Sequence, residues 1–199
     1  MSTKEQILHE ATIAFAEQGY SGLRMDALAE TCGINKATIY YHFKSKEALF
    51  ESVVEHNMRE IIAIIQHAIA DAKTPETKLK AYISAMMQRK RDMVAIMTRE
   101  IINGGDHLPT ELFTLMLQIF KPLEAILKEG NEAGVFEMMH PWVIIQIIIG
   151  STNHHILSNR IRERAAAALS DHELPQPETP ATFAEQLSEL ILNAIRKPL

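Results

Sequence analysis

The sequence predicts an all-α protein with a small three-helix head and a larger helical-bundle body. Three observations predict it. Apolar residues recur at three and four positions along most of the chain, the repeat of a helix face, and runs of period two are nearly absent. Start and stop signals punctuate that pattern: Asn35, Ser45, Thr74-Pro75 and Thr179-Pro180 at starts, Gly19, Gly33 and Gly104-Gly105 at ends. With 199 residues, 47% apolar and 23% charged, the chain can bury a sizeable core and falls outside the disordered class.

The first helix places Ile7, Leu8, Ala11, Ala14 and Phe15 on one face, with Thr3 as its cap, Gln6 completing a capping box and Gly19 as its stop. A second, short helix fits Arg24 to Cys32, with Met25, Leu28, Ala29 and Cys32 inward, and Gly33 breaks it. Asn35 caps a third helix, Lys36 to Phe43. Ser45 caps a fourth, which runs on through Leu49, Val53, Ile61, Ile62 and Ile65. Thr74-Pro75 reads as N-cap and first position of a fifth helix that continues to about Ile102. A sixth follows Pro109 to about Gly130, and Pro141 opens another to about Arg164. Asp171 to Pro180 is acidic, holds three prolines and reads as a loop. The last helix starts at Thr179-Pro180 and carries Phe183, Leu187, Leu190, Ile191 and Ala194 on one face. The expected boundary lies near residue 46, with a head at 1–46 and a body at 47–199.

Bulk properties narrow the function. The net charge of −5 weighs against non-specific coating of nucleic acid, but leaves room for one local reading surface. The single cysteine, Cys32, excludes a disulfide within the chain and fits a reducing compartment. Met1 is followed by neither a cationic n-region nor an apolar h-region. The most apolar stretch, Val143 to Ile149, is far shorter than the ~20 residues of a membrane span. A cytoplasmic protein is expected. No Ser-x-x-Lys, phosphate loop, His-Glu-x-x-His or nucleophile elbow is present, so an enzyme is not expected, nor a cofactor. Adjacent His154 and His155 diverge by ~100° on a helix and chelate poorly, so no metal is expected.

The segment from Arg24 to Phe43 meets the needs of a helix-turn-helix. Two steeply crossing helices need a small residue where they touch, and Ala29 is one. The turn needs a left-handed residue, and Gly33 supplies it without a Cβ penalty. Ile34 plugs the corner. Ile39 and Phe43 face inward on the following helix, so Ala37 and Tyr41 point outward with Thr38 and Tyr40 beside them. That is how a recognition helix meets the major groove. Tyr and Thr hydroxyls suit phosphates, and the Ala37 methyl suits a thymine methyl. From Lys36 to Lys46 there are lysines at 36, 44 and 46 and no acid. Lys46 opposes the dipole of the helix it begins, which calls for an outside anion.

The run Gly33-Ile34-Asn35-Lys36-Ala37-Thr38-Ile39-Tyr40-Tyr41-His42-Phe43-Lys44-Ser45-Lys46-Glu47-Ala48-Leu49 resembles the signature of the TetR (tetracycline-repressor) family. Ala14 to Tyr20 and Met25 to Ala29 match it too. The resemblance implies a sequence-specific DNA-binding regulator, usually a repressor. It implies DNA contacts from Thr38, Tyr40, Tyr41, His42 and Lys46, with Lys36 and Ala37 nearest the bases. Arg24 stands where the family usually offers Ser or Thr to a phosphate. Residues 1–50 are not basic as a whole: Lys4, Arg24, Lys36, Lys44 and Lys46 stand against Glu5, Glu10, Glu17, Asp26, Glu30 and Glu47.

In the body, Val143 to Ile149 is too apolar for open surface, Gly150-Ser151-Thr152 permits close helix approach, and the last helix offers a second stripe. The resemblance implies a homodimer through helices at about 141–164 and 180–197, which would set two heads on a near-palindromic operator. It also implies a small lipophilic effector held in the body. Met93, Met97, Phe113, Met116, Phe120, Trp142, Gln146 and Asn153 are the candidate ligand residues, as soft, aromatic or polar groups among apolar ones.

Overall fold

Ser2, one residue before the expected cap, closes the first helix. Its hydroxyl accepts from the Glu5 amide while the Glu5 carboxylate accepts from the Ser2 amide at 2.7 Å. Gln6 is thereby free for another task, and its side-chain amide donates to the Cys32 carbonyl at 3.2 Å. The computed structural model describes residues 2–169 and 178–197, so all of the expected Asp171–Pro180 loop except Glu178, Thr179 and Pro180 lies outside the described residues. The chain is all-α, in the order α1 (Thr3–Gly22), α2 (Met25–Cys32), α3 (Lys36–His42), α4 (Lys46–Ala70), α5 (Pro75–Met86), α6 (Arg91–Ile102), α7 (Thr110–Glu132), α8 (Pro141–Ala168) and α9 (Pro180–Ile195).

Most helix ends fall where the sequence puts them. Asn35 Oδ1 accepts from the Thr38 amide at 2.8 Å, and Ser45 Oγ from the Ala48 amide at 3.1 Å. Thr74 and Thr179 cap α5 and α9, each followed by proline. Gly33 is left-handed at φ 66°, and the Ile34 amide reaches back to the Ala29 carbonyl at 3.0 Å. Other boundaries differ. Gly19 has φ 74° and kinks α1, but helical turns resume to Gly22. α8 runs past Arg164 to Ala168. The helix expected over 75–102 is two helices, α5 and α6, with Met87 to Lys90 between them.

The helices form two compact units. The first comprises Met1–Glu60 and Lys90–Met116. Its core joins Ile7, Phe15, Leu28, Ile39, Leu49 and Phe50, with α6 laid against α1. Phe15 meets Phe50 edge-on at 5.0 Å between ring centres, and Tyr20 meets Phe50 at 5.2 Å. Cys32 is buried at the end of α2. The second unit comprises Ile61–Arg89 and Leu117–Leu199. There α5 packs on α9 and α8, burying Leu79, Tyr82, Ile83, Ile148, Leu192 and Ile195. At its base Gly130 admits the Phe136 ring; a Cβ there would lie 2.0 Å from Phe136 Cδ2. These units divide within α4, after Glu60, and α6 belongs to the first.

Candidate nucleic-acid interface

α3 is oriented by its two inward residues. Ile39 is fully buried and Phe43, its C-cap, nearly so. The opposite side of the helix is thereby presented to solvent: Lys36 and Ala37 are exposed, Tyr40 is exposed, and Tyr41 is 84% exposed. Burial does not explain a tyrosine there, on a short helix joined to the one before it through a left-handed glycine. Tyr41 also meets the His42 ring edge-on at 5.2 Å. Thr38 is half-buried, its hydroxyl donating to Asn35 Oδ1 at 2.9 Å. Arg24 is exposed and occupies the N-cap of α2 with no side-chain cap bond, so its guanidinium is not spent on its own helix.

Two of the lysines are not idle. Lys36 Nζ lies 3.0 Å from Asp26 Oδ1, across from the start of α2. Lys46 has internal partners that the sequence did not disclose. Its ammonium donates to the Leu23 carbonyl at 2.6 Å and lies 4.9 Å from the centre of the Tyr20 ring. The carbonyl end of α1 thus gives the charge an internal partner. Burial pulls the Lys46 ammonium below its ordinary pKa; burial and then Glu47 push the Tyr20 hydroxyl up. Lys44, absent from the expected set, is exposed and makes no ion pair among the described residues. Its signal in the sequence was its place among the three lysines with no acid between them.

The first unit is braced behind this surface. Arg99 of α6 donates to the Ala16 carbonyl at 3.2 Å and the Glu17 carbonyl at 3.0 Å, just before the Gly19 kink. His107 stacks on Tyr20 at 4.2 Å and its Nδ1 lies 3.2 Å from buried Glu100. A cleft of about 200 Å³ in the same unit is lined by residues that include His9, His56, Asn57 and Lys90.

The expected ligand residues divide between the units. Met93 is buried and Met97 half-buried on α6, while Phe113 and Met116 are exposed on α7, all in the first unit. Phe120, Trp142, Gln146 and Asn153 belong to the second. Phe120 and Trp142 stack at 4.8 Å between ring centres. Gln146 is exposed, and Asn153 Oδ1 is buried without a hydrogen-bond partner. None of the eight lines the cleft.

Comparison with known proteins decides the family. Residues 7–53 match bacterial regulatory proteins of the tetR family, and residues 54–167 match the C-terminal region of YsiA-like proteins. The chain belongs to the TetR family. This TetR-family protein is a DNA-binding transcriptional regulator, and its relatives are named as regulators, not enzymes. The HTH-type transcriptional repressor NicS of Pseudomonas putida is 27% identical over 206 residues, covering 98% of this chain and 93% of NicS. The HTH-type transcriptional regulator RutR of Escherichia coli is 26% identical over 155 residues, covering 76% of this chain and 73% of RutR. Among solved structures, the ketosteroid regulator KstR2 of Mycobacterium tuberculosis superposes with TM-score 0.76 at 19% identity, covering 99% of this chain and 96% of KstR2. FadR of Bacillus subtilis, in complex with stearoyl-CoA, gives TM-score 0.68 at 23% identity, covering 96% of this chain and 98% of FadR. At those identities the likeness carries the fold. Among the described residues no helix is long and apolar enough to cross a membrane.

Proposed function

We propose that this regulator is a homodimeric repressor that binds a near-palindromic operator through α3 and leaves it when a small lipophilic effector occupies the body. Residues 1–46 serve as the DNA-reading segment and 47–199 as the ligand-binding and dimerisation part. The observation that carries the reading is the outward face of α3, where Tyr41 is 84% exposed beside Lys36, Ala37 and Tyr40. Arg24, Thr38, His42 and Lys46 complete the contact set, with Lys44 added as a phosphate contact. Dimerisation through α8 and α9 is supported by apolar side chains left in solvent there: Trp142, Val143, Ile147 and Ile161 on α8, and Leu190 on α9. Two heads related by that axis would meet successive major grooves. The repressor sign is supported by the naming of NicS, and a lipophilic effector by the stearoyl-CoA of the FadR complex.

Selection of bound fragments from a genomic library tests this. An enriched inverted repeat, with half-sites about one helical turn apart, is the expected result. Enrichment without dyad symmetry overturns the dimeric reading. Failure of any lipophilic compound to release the selected fragment overturns the effector.

A further inference from the structure

Three helices of the first unit meet at the cleft of about 200 Å³. α1 supplies Glu5 and His9, α4 supplies His56 and Asn57, and the start of α6 supplies Lys90 and Asp92. None of these residues belongs to the reading face of α3.

Asn57 is the group that packing leaves unexplained. It is only 6% exposed, yet it lines the cleft. Its Nδ2 donates to the Val53 carbonyl, one turn back, at 2.8 Å. Its Oδ1 accepts no hydrogen bond among the described residues. A buried carbonyl without a donor is costly, and the cleft is the side from which a donor can come.

The charges of the lining decide what kind of donor. Glu5 accepts from the Ser2 amide at 2.7 Å. Hydrogen bonding from Ser2, its amide first, holds the Glu5 carboxyl below its ordinary pKa, so it stays ionised. Lys90 is the lining ammonium, but its Nζ lies 2.6 Å from Glu60 Oε2, and those two charges offset. The starts of α1 and α6 each add about half a positive charge. Together they fall short of the two full negative charges of Glu5 and Asp92. His9 and His56, when neutral, each bring one acceptor nitrogen. Leu8 and Ile13 add apolar wall. A small donor-bearing cation with a short apolar body suits such a cleft. A metal ion does not, since among the described residues no three His, Cys, Asp or Glu are grouped to hold one.

We infer that this cleft binds a small organic ammonium, which donates to Asn57 Oδ1 and is held by the charges of Glu5 and Asp92. None of the residues offered above for the effector lines it, so the inference stands apart from that reading.

The test titrates the full chain by calorimetry with three amines: butylamine, 1,4-diaminobutane and 2-phenylethylamine. Butanoate and butan-1-ol serve as an anion and a neutral molecule of similar size. At least one amine binds once per chain with a Kd of about 1 mM or below, and both controls bind at least about tenfold more weakly, as loss of a charge-assisted bond requires. The bound amine moves the imidazole resonances of His9 and His56, and leaves that of His140, in the second unit, in place. Asn57→Leu is close in volume and raises the Kd about tenfold, as loss of a hydrogen bond to a charged donor does. Circular dichroism and the urea midpoint verify its folding. Should it fail to fold, Glu5→Gln with Asp92→Asn carries the test. That pair keeps the side-chain shapes and a capping-box acceptor for α1 while removing both charges, and raises the Kd about fivefold. The inference is overturned if no amine binds or if butanoate binds as tightly. It is equally overturned if binding leaves His9 and His56 unmoved, or if the folded variants bind as the wild type does. Each of those results leaves the effector reading standing.

Discussion

Lys46 begins a helix, where a positive charge opposes the dipole, and sequence reasoning assigned the missing anion to DNA. The fold supplies a nearer partner: the Leu23 carbonyl, with the Tyr20 ring beside it. The two roles are separable by measurement. Lys46→Ala is expected to cost about 1 kcal/mol of folding stability, read from the urea midpoint, because it removes a charge-assisted bond to the α1 end. It is also expected to lower the salt slope of DNA binding by about 1 if the ammonium also meets a phosphate. A stability loss with an unchanged slope would leave Lys46 as a latch alone. At this scale the site was legible where exposure follows from helix geometry, as for Ala37, Tyr40 and Tyr41. It was illegible where a partner comes from a distant carbonyl, since carbonyls carry no sequence. The Lys36–Asp26 pair belongs to the same class: residues ten apart on different helices meet only once the turn at Gly33 is made.

Elements were legible wherever a side chain pays its own cap. Asn35, Ser45, Thr74 and Thr179 each accept from an amide three residues on, and Gly33 takes the one conformation its turn requires. The break between α5 and α6 was not legible, because Met86, Met87, Met93 and Val94 keep a helical rhythm and no glycine or proline marks the gap. What stops α5 is tertiary: Arg89 folds over its carbonyl end and reaches α8. Gly130 gave a stop signal that was read two residues early, since α7 runs to Glu132. Its real constraint is room for Phe136. Gly130→Ala is expected to destabilise the protein by about 1–3 kcal/mol, as overpacking does. Thermal unfolding checks it, and a double variant with Phe136→Leu should recover part of the loss. No loss in the single variant would show that the ring can swing aside.

For the whole molecule, family membership fixes DNA binding, while assembly rests on surface chemistry. The apolar side chains of α8 and α9 that face solvent in one chain are expected to be covered by a second. Ile147→Glu with Leu190→Glu places charge in that seam. Light scattering should report a monomer, and operator affinity should fall steeply while helical content holds, because one head alone forfeits half the site. A dimer that survives both substitutions would move the interface elsewhere. The lack of a net positive charge over residues 1–50 gives this geometry more weight, since bulk charge adds little to non-specific binding.

Cys32 adds a consequence of its own. It is the chain's single thiol, buried where α2 meets the turn, and burial pushes it away from the reactive thiolate form. A thiol reagent can reach it only when the reading segment opens. Its rate of modification, set against that of the unfolded chain, therefore clocks how often that segment comes undone, without a label or a mutation. DNA that grips the closed form must slow that clock.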